Sequence, residues 1–414
     1  MAEPEHYDSL ETRDPAAREK AQFAALRGLI AAAKVGASGW QHILRDVDPA
    51  RVVDRAALAK LPLTRKSDLV ELQKAAPPFG GLNVTAASTL RRIFASPGPI
   101  YDPEGERQDY WRMARALYAA GFRRGELVHN SFSYHLTPAG AMLEDGLRAL
   151  GCAVVPGGVG QTELQVKTIA DLRPCGYTGT PSFLNILFEK SAELGADISC
   201  LKKALVSGEA LPPSLRAQLE GRGVLALQCY GTADCGSIAY ESSAREGLIV
   251  DEGVIVELVR PGTGDPVAPG EVGEVVVSVI NHDYPLIRFA TGDLSAFIEG
   301  TSPCGRTAPR IRGWMGRADQ IAKLKGMFVR PAQIAEVLKR NPQVLKARLV
   351  IDSREHQDVG LLRCEVHGNY DEALARAIVE SFQSLCKVRC DVAFAELGSL
   401  PKDGKVIDDI RKYE

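Results

Sequence analysis

Apolar positions recur at helical spacing through AAREKAQFAALRGLIAAAK (residues 16–34), and residues 7 to 75 as a whole read as helical. LPLTRKSDLVEL (61–72) carries its own helix-start signals. From Ile93 to about Val259 the texture changes. Strand-like runs alternate with helical ones in LRALGCAVVPG, in TELQVKTIADLRPCGYTGTPSFLNILFEKSAELG and in LKKALVSGEALPPSLRAQLEGRGVLALQCYGTAD. Such alternation predicts βα units feeding a mainly parallel sheet. Between Gly247 and Phe297 short apolar runs are broken by RPGTGDPVAPGEVGE, which predicts a smaller β-rich subdomain. Beyond GRADQIAKLKG follow a helix (PAQIAEVLKRNP), two strands (KARLVID, GLLRCEVHG), a long helix (YDEALARAIVESFQSLC) and a strand (KVRCDVAFAEL). The expected fold class is therefore α/β. A leading helical region, 1–92, and a core with its β-rich subdomain, 93–318, make one large domain, followed by a small α+β domain, 319–414.

The 414 residues suffice for two or three domains, and 45% hydrophobic with 25% charged residues is ordinary globular composition. Fifty Lys and Arg against 52 Asp and Glu give a formal charge of −2, so no general field draws in nucleic acid or an anionic membrane. No nucleic-acid or membrane partner is expected. The start lacks a basic-then-apolar secretory pattern, and the default expectation is cytoplasmic. Nine scattered cysteines without CxxC spacing argue against a disulfide framework and a zinc ribbon; most are expected to be small buried hydrophobes.

Four segments carry candidate chemistry. In YPLIRFATGDLS, Asp293 follows Gly292 at the end of an apolar run, where an ionised carboxylate suits a vicinal diol; an ordinary turn Asp is the alternative. CYGTADCG (229–236) follows the apolar VLALQ, so its polar groups sit at a strand's C-terminal end, where α/β sheets bind ligands. There Tyr230 can stack on a base, Thr232 can bond a phosphate and Asp234 can hold a hard cation such as Mg²⁺; a plain loop with a buried Tyr fits equally. SGEALPP (207–213) offers Gly208 for close backbone approach, or Ser207 as a helix cap. PKDGKVIDD (401–409) places Lys405 on a short loop, either as a reaching ammonium or as a solvated charge.

Taken together, YGTAD, YPLIRFATGDLS, GRADQIAKLKGMFVRPAQIAEVL and LPKDGKVIDDIRK stand in the order and approximate spacing of the adenylate-forming enzymes. SPCGRTAPRI and the opening LPLTRKSDL resemble the phenylacetate–coenzyme A ligase family in particular. The resemblance implies a large N-terminal adenylate-forming domain and a small mobile C-terminal domain. It implies that a carboxylic acid, aryl or aryl-acetic, reacts with ATP and Mg²⁺ to an acyl-adenylate, from which coenzyme A displaces AMP. By resemblance Asp293 holds the ribose hydroxyls and Arg317 contacts the ribose and phosphate region, with Lys325 and Gly326 beside it. Gly208, Glu209, Ala210 and Tyr230 frame the adenine, Gly231 and Thr232 bind the cofactor beside them, Ser96 and Gly98 belong to the phosphate loop, and Asp234 takes the Mg²⁺-associated acidic position. Asp319 resembles the hinge, and Lys405 the lysine bridging carboxylate and α-phosphate. HNSFSYHLTPAG resembles the acyl-pocket stretch, with Phe132, Tyr134, His135 and Ala139 as its residues. A homodimer is what the resemblance suggests.

The chain also departs from that pattern. In IFASPGPIYDPEG, Pro97 and Pro99 have no N–H to offer phosphate, and Asp102 and Glu104 add negative charge nearby. Ala233 replaces a hydroxyl, and SPC, with Ser302, stands where some relatives carry a zinc-binding CPC; no zinc is expected. Two alternatives to coenzyme A ligation stand beside it, the first motivated by the altered loop. One is a chain that binds acyl-CoA, AMP or an aryl acid without adenylating; the other is a ligase that loads a carrier-protein thiol.

Overall fold

The computed structural model describes residues 5–318, 322–325, 327–354, 357–366, 371–401 and 405–410. The chain divides into two compact units: Met1–Val256 with Val277–Thr291 and Ile298–Trp314, and Glu257–Val276 with Gly292–Phe297 and Met315–Glu414.

The first unit opens on the helix Pro15–Gly36, started by Pro15 and by the Asp14 carboxylate, which accepts from the Ala17 N–H at 2.8 Å. Its buried stripe is Phe23, Leu26, Leu29, Ile30 and Ala33. The start signals in 61–72 fall where a 3-10 turn, Lys66–Asp68, leads into the helix Leu69–Ala75. Thr64–Arg65 instead pairs in parallel with Leu286–Ser295, Thr64 opposite Phe289, because their backbone completes a sheet edge.

The parallel sheet is built from Leu127–Asn130, Ala153–Pro156, Gly176–Gly179, Lys203–Val206 and Leu225–Thr232, in the spatial order 153, 127, 176, 203, 225. The helices Ala139–Leu150, Thr162–Leu172, Pro181–Leu194 and Pro213–Gly221 make the crossovers, as the βα alternation predicts. Gly236–Glu241 and Leu248–Val250 then extend the sheet with antiparallel pairing. The strands nearest Ile93 differ from expectation. Arg92–Ser96 and Ile100–Glu104 form an antiparallel hairpin, Ser96 opposite Ile100, because a three-residue Pro-Gly-Pro tip can only reverse the chain.

In the second unit, Val344–Arg354 pairs antiparallel with Gln357–Val366, flanked in parallel by Ile407–Asp409 and Asp391–Ala395. The helices Pro331–Arg340 and Glu372–Cys386 pack a shared core with this sheet through Ile334, Val337, Ile378 and Phe382. The strand Ile407–Asp409 had no pattern of its own in the sequence. All nine cysteines are free thiols, seven of them buried. Among the described residues no helix is long and apolar enough to cross a membrane.

Candidate active site

The C-terminal ends of the parallel strands surround a cavity of about 170 Å³ in the first unit. The hairpin gives it Ser96 and Pro97, and the loop after Val206 gives Ser207 and Gly208. The strand end at 225–232 contributes Gly231, Thr232 and then Ala233. The segment following Asn130 supplies Phe132, Thr137, Pro138 and Ala139, while Met113, Met142 and Leu143 close the apolar side. No charged side chain lines it. Eight residues singled out in the sequence or flanked by those singled out, Ser96, Pro97, Phe132, Ala139, Gly208, Gly231, Thr232 and Ala233, thus meet at one place.

Other candidates fall elsewhere. The Tyr134 ring is drawn off the cavity, its hydroxyl accepting from Asn130 Nδ2 at 2.7 Å, and His135 is exposed. Tyr230 is partly buried, with Oη 3.3 Å from Thr291 Oγ1. Glu209 caps the helix Pro181–Leu194, accepting from the Ser182 N–H at 2.7 Å, and Ala210 is exposed. Gly98 sits exposed at the hairpin tip. Ser96 is buried, and its Oγ donates across the tip to the Ile100 carbonyl at 3.3 Å.

Behind the hairpin lies a second group of residues. Lys66 Nζ donates to Asp234 Oδ2 at 2.5 Å, and the Asp234 side chain has no exposed surface. Burial works to lower the pKa of the Lys66 ammonium, but the Asp234 charge and hydrogen bond outweigh it and the net shift is upward. Asp102 is buried as well, and neither of its oxygens has a hydrogen-bond partner among the described residues. Burial first, and then the charge of Asp234, hold its carboxyl well above the usual carboxylate range. Of the two acidic groups expected to add negative charge there, Asp102 is held above the usual carboxylate range and Glu104 is paired with Arg92 at 2.7 Å. A divalent ion at Asp234 does not fit this arrangement. One oxygen is held by an ammonium, and the other is buried with no access for a hydrated cation. Among the described residues no cluster of three or more His, Cys, Asp or Glu is placed to hold a metal. Ser302 Oγ lies 3.1 Å from Cys304 Sγ.

In the second unit, Asp293 and Arg317 form a pair. Arg317 Nη1 donates to Asp293 Oδ1 at 2.9 Å, and the two backbones bridge antiparallel. Gly292, at φ +78°, permits this: a Cβ there would come within 2.7 Å of Arg317 Nη2. Asp293 is buried, at 7% exposed. Lys405 Nζ donates to Asp408 Oδ1 at 3.2 Å, while Arg348 Nη2 donates to Asp408 Oδ2 at 2.7 Å. Burial acts to raise the Asp408 pKa, but these two cations win and lower it. Lys325 is exposed, its N–H donating to Asp358 Oδ2 at 2.8 Å. Asp319 and Gly326 lie outside the described residues.

A model of the AMP-binding enzyme family matches residues 145–281, which hold the last four parallel strands and the cavity's Ser207–Ala233 side. A phenylacetate–coenzyme A ligase of Thermus thermophilus is 31% identical over 368 residues, 84% of this chain and 82% of its own length. The chain belongs to the phenylacetate–coenzyme A ligase family. Another member, from Pseudomonas putida, is 32% identical over 328 residues, 75% of this chain and 72% of its own. Among solved structures, 2-hydroxyisobutyryl-CoA ligase in an open conformation, in complex with 2-HIB-AMP and CoA, matches with a TM-score of 0.74. It is 23% identical, the match covers 97% of this chain and 93% of that one, and the likeness shows the fold.

In this phenylacetate–coenzyme A ligase family chain, motif reading missed Lys66, Met113 and Met142. Lys66 sits in the quoted LPLTRKSDL, but its partner is 168 residues away, and nothing local signals a buried pairing. The two methionines look like ordinary apolar helix positions, and only the fold turns them toward a cavity.

Proposed function

We propose that this chain activates a carboxylic acid with ATP as an acyl-adenylate and passes the acyl group to coenzyme A. The observation that carries this reading is the uncharged cavity at the sheet's C-terminal edge, walled by the hairpin 92–104 and the strand end Gly231–Ala233. At about 170 Å³ it is close to the roughly 150 Å³ of an apolar cavity known to hold benzene. It therefore suits an acid whose tail is one six-membered ring or a short hydrocarbon of similar bulk. Met113, Phe132, Met142 and Leu143 offer this tail apolar contact, and Ser96 and Thr232 are polar members of the lining.

Asp293, oriented by Arg317, is the acceptor for the nucleoside's hydroxyls, and Lys405 is the cation that bridges the two anions that must react. Both reactants are negatively charged, so bringing them together needs a positive group poised between them. Mg²⁺ travels with the nucleotide's phosphates, since Asp234 is already held by Lys66.

A pyrophosphate-release assay over monocyclic aryl and short-chain acids, with and without coenzyme A, tests the reading. Release with at least one acid, and thioester only when coenzyme A is present, is expected; no release with any acid overturns it. The Pro97-Gly98-Pro99 tip, with one N–H in three residues, favours as a second reading a chain that binds acid and AMP without adenylating. Calorimetry separates the two, because such a binder gains nothing from ATP's outer phosphates.

A further inference from the structure

Asn130 closes the parallel strand Leu127–Asn130 and has no exposed surface. All four hydrogen-bonding directions of its side-chain amide are engaged. Nδ2 donates to Tyr134 Oη at 2.7 Å and to the Gly140 carbonyl at 2.8 Å. Oδ1 accepts from the Phe132 N–H at 3.2 Å and from Thr178 Oγ1 at 3.0 Å. One buried side chain therefore ties together a neighbouring strand, the segment 131–138 and the first turn of the helix Ala139–Leu150.

Those last two elements supply the cavity wall made by Phe132, Thr137, Ala139 and Met142. Their fold is tight. The Gly140 N–H donates to the Ser133 carbonyl at 2.9 Å, and a Cβ on Gly140 would meet that carbonyl oxygen at 2.6 Å and the Tyr134 ring at 2.9 Å. The hairpin leans on the same segment, the Ala95 N–H donating to the Leu136 carbonyl at 2.9 Å. Only an amide can serve this junction, because two donors and two acceptors are needed from one short side chain. A carboxylate of the same shape would face the Gly140 carbonyl with a second acceptor.

We infer that Asn130 is a positioning residue that sets the shape of the acyl cavity, and hence which acids the enzyme accepts, without touching the acid. This inference rests on the ligase reading above. Its consequence is specific: loosening the junction widens the wall for the acid and leaves nucleotide recognition alone.

The test compares kcat/KM for a monocyclic aryl acid and a bicyclic one in the full-length wild type, Asn130→Asp, Thr178→Val and Tyr134→Phe. The wild type should favour the monocyclic acid. Asn130→Asp should lower that preference by about tenfold or more, through KM for the acid, with KM for ATP within about twofold of wild type. Tyr134→Phe and Thr178→Val, which each remove one bond, should shift it in the same direction by less. If Asn130→Asp does not fold by near-ultraviolet circular dichroism, the two single-bond variants decide. An unchanged preference in the folded variants, or an equal rise of KM for ATP, overturns the inference. A wild type that releases no pyrophosphate with any acid overturns instead the reading on which it rests.

Discussion

Lys66 and Asp234, 168 residues apart in the chain, form an ion pair of 2.5 Å in which the carboxylate is fully covered. The pair joins the segment after Thr64–Arg65 to the turn after Leu225–Thr232, directly behind the cavity's Thr232 and Ala233. Removing Lys66 leaves a buried carboxylate beside the equally buried Asp102. Lys66→Met should therefore destabilise the protein by about 3 kcal/mol, toward the lower end for a broken buried pair because the ammonium is partly exposed. Urea denaturation reads this. Lys66→Met combined with Asp234→Asn should recover much of the loss, since the uncompensated charge is then gone.

Asp109 makes a pH prediction. Its carboxylate accepts from the Met113 N–H at 2.8 Å and the Ala114 N–H at 3.1 Å, capping the helix Met113–Ala119 that brings Met113 to the cavity. Burial nevertheless pushes its pKa up to about 7 from an ordinary 3.8. A raised folded-state value means that its stabilising contribution is fully present below about pH 3.8 and is lost as pH climbs through about 7. Asp109→Asn keeps the acceptor without the charge. Relative to that variant, the wild type should lose on the order of 2–4 kcal/mol between pH 4 and pH 8, read by denaturant unfolding at several pH values. A constant difference across that range would contradict the assignment.

How far the sequence could be read depended on the range of the forces involved. Alternating apolar runs report which face a strand or helix buries, so the parallel strands and the C-terminal α+β elements were legible. Motif order located Ser96, Gly208 and Thr232 on the cavity, because backbone-accessible Gly and small hydroxyls cluster where a ligand approaches. Tyr134 is not among the cavity's lining residues, for an equally physical reason: a phenol beside a buried Asn is captured by the amide, and periodicity carries no record of that. Thr64–Arg65 and Ile407–Asp409 are strands only because a distant partner offers an open edge. The same limit hid Lys66.

Lys405 is held by Asp408, itself anchored by Arg348, so its ammonium sits on the chain beside a carboxylate rather than free in a tail. If it bridges the reacting anions, Lys405→Ala should slow acyl-adenylate formation by on the order of 10²–10³. Thioester formation from a supplied acyl-adenylate should be largely spared, since no second anion must then be brought to the phosphate. Rapid-quench pyrophosphate release and a coupled thioester assay measure the two halves separately. An equal loss in both would assign the lysine a general binding role instead.

The Asp293–Arg317 pair predicts how the nucleoside is held. A carboxylate accepting from two hydroxyls makes charge-assisted bonds worth about 1.5–3 kcal/mol each, and Arg317 fixes its orientation from the other side. Asp293→Ala should weaken AMP binding by about 10²- to 10⁴-fold in calorimetry. The sharper measurement is a cycle with the ligand: 2′,3′-dideoxy-AMP should bind the wild type about as poorly as AMP binds Asp293→Ala. It should then lose little more on the variant, because both changes delete the same bonds. Additive losses would mean that the diol is held elsewhere and that Asp293 serves only to seat Arg317.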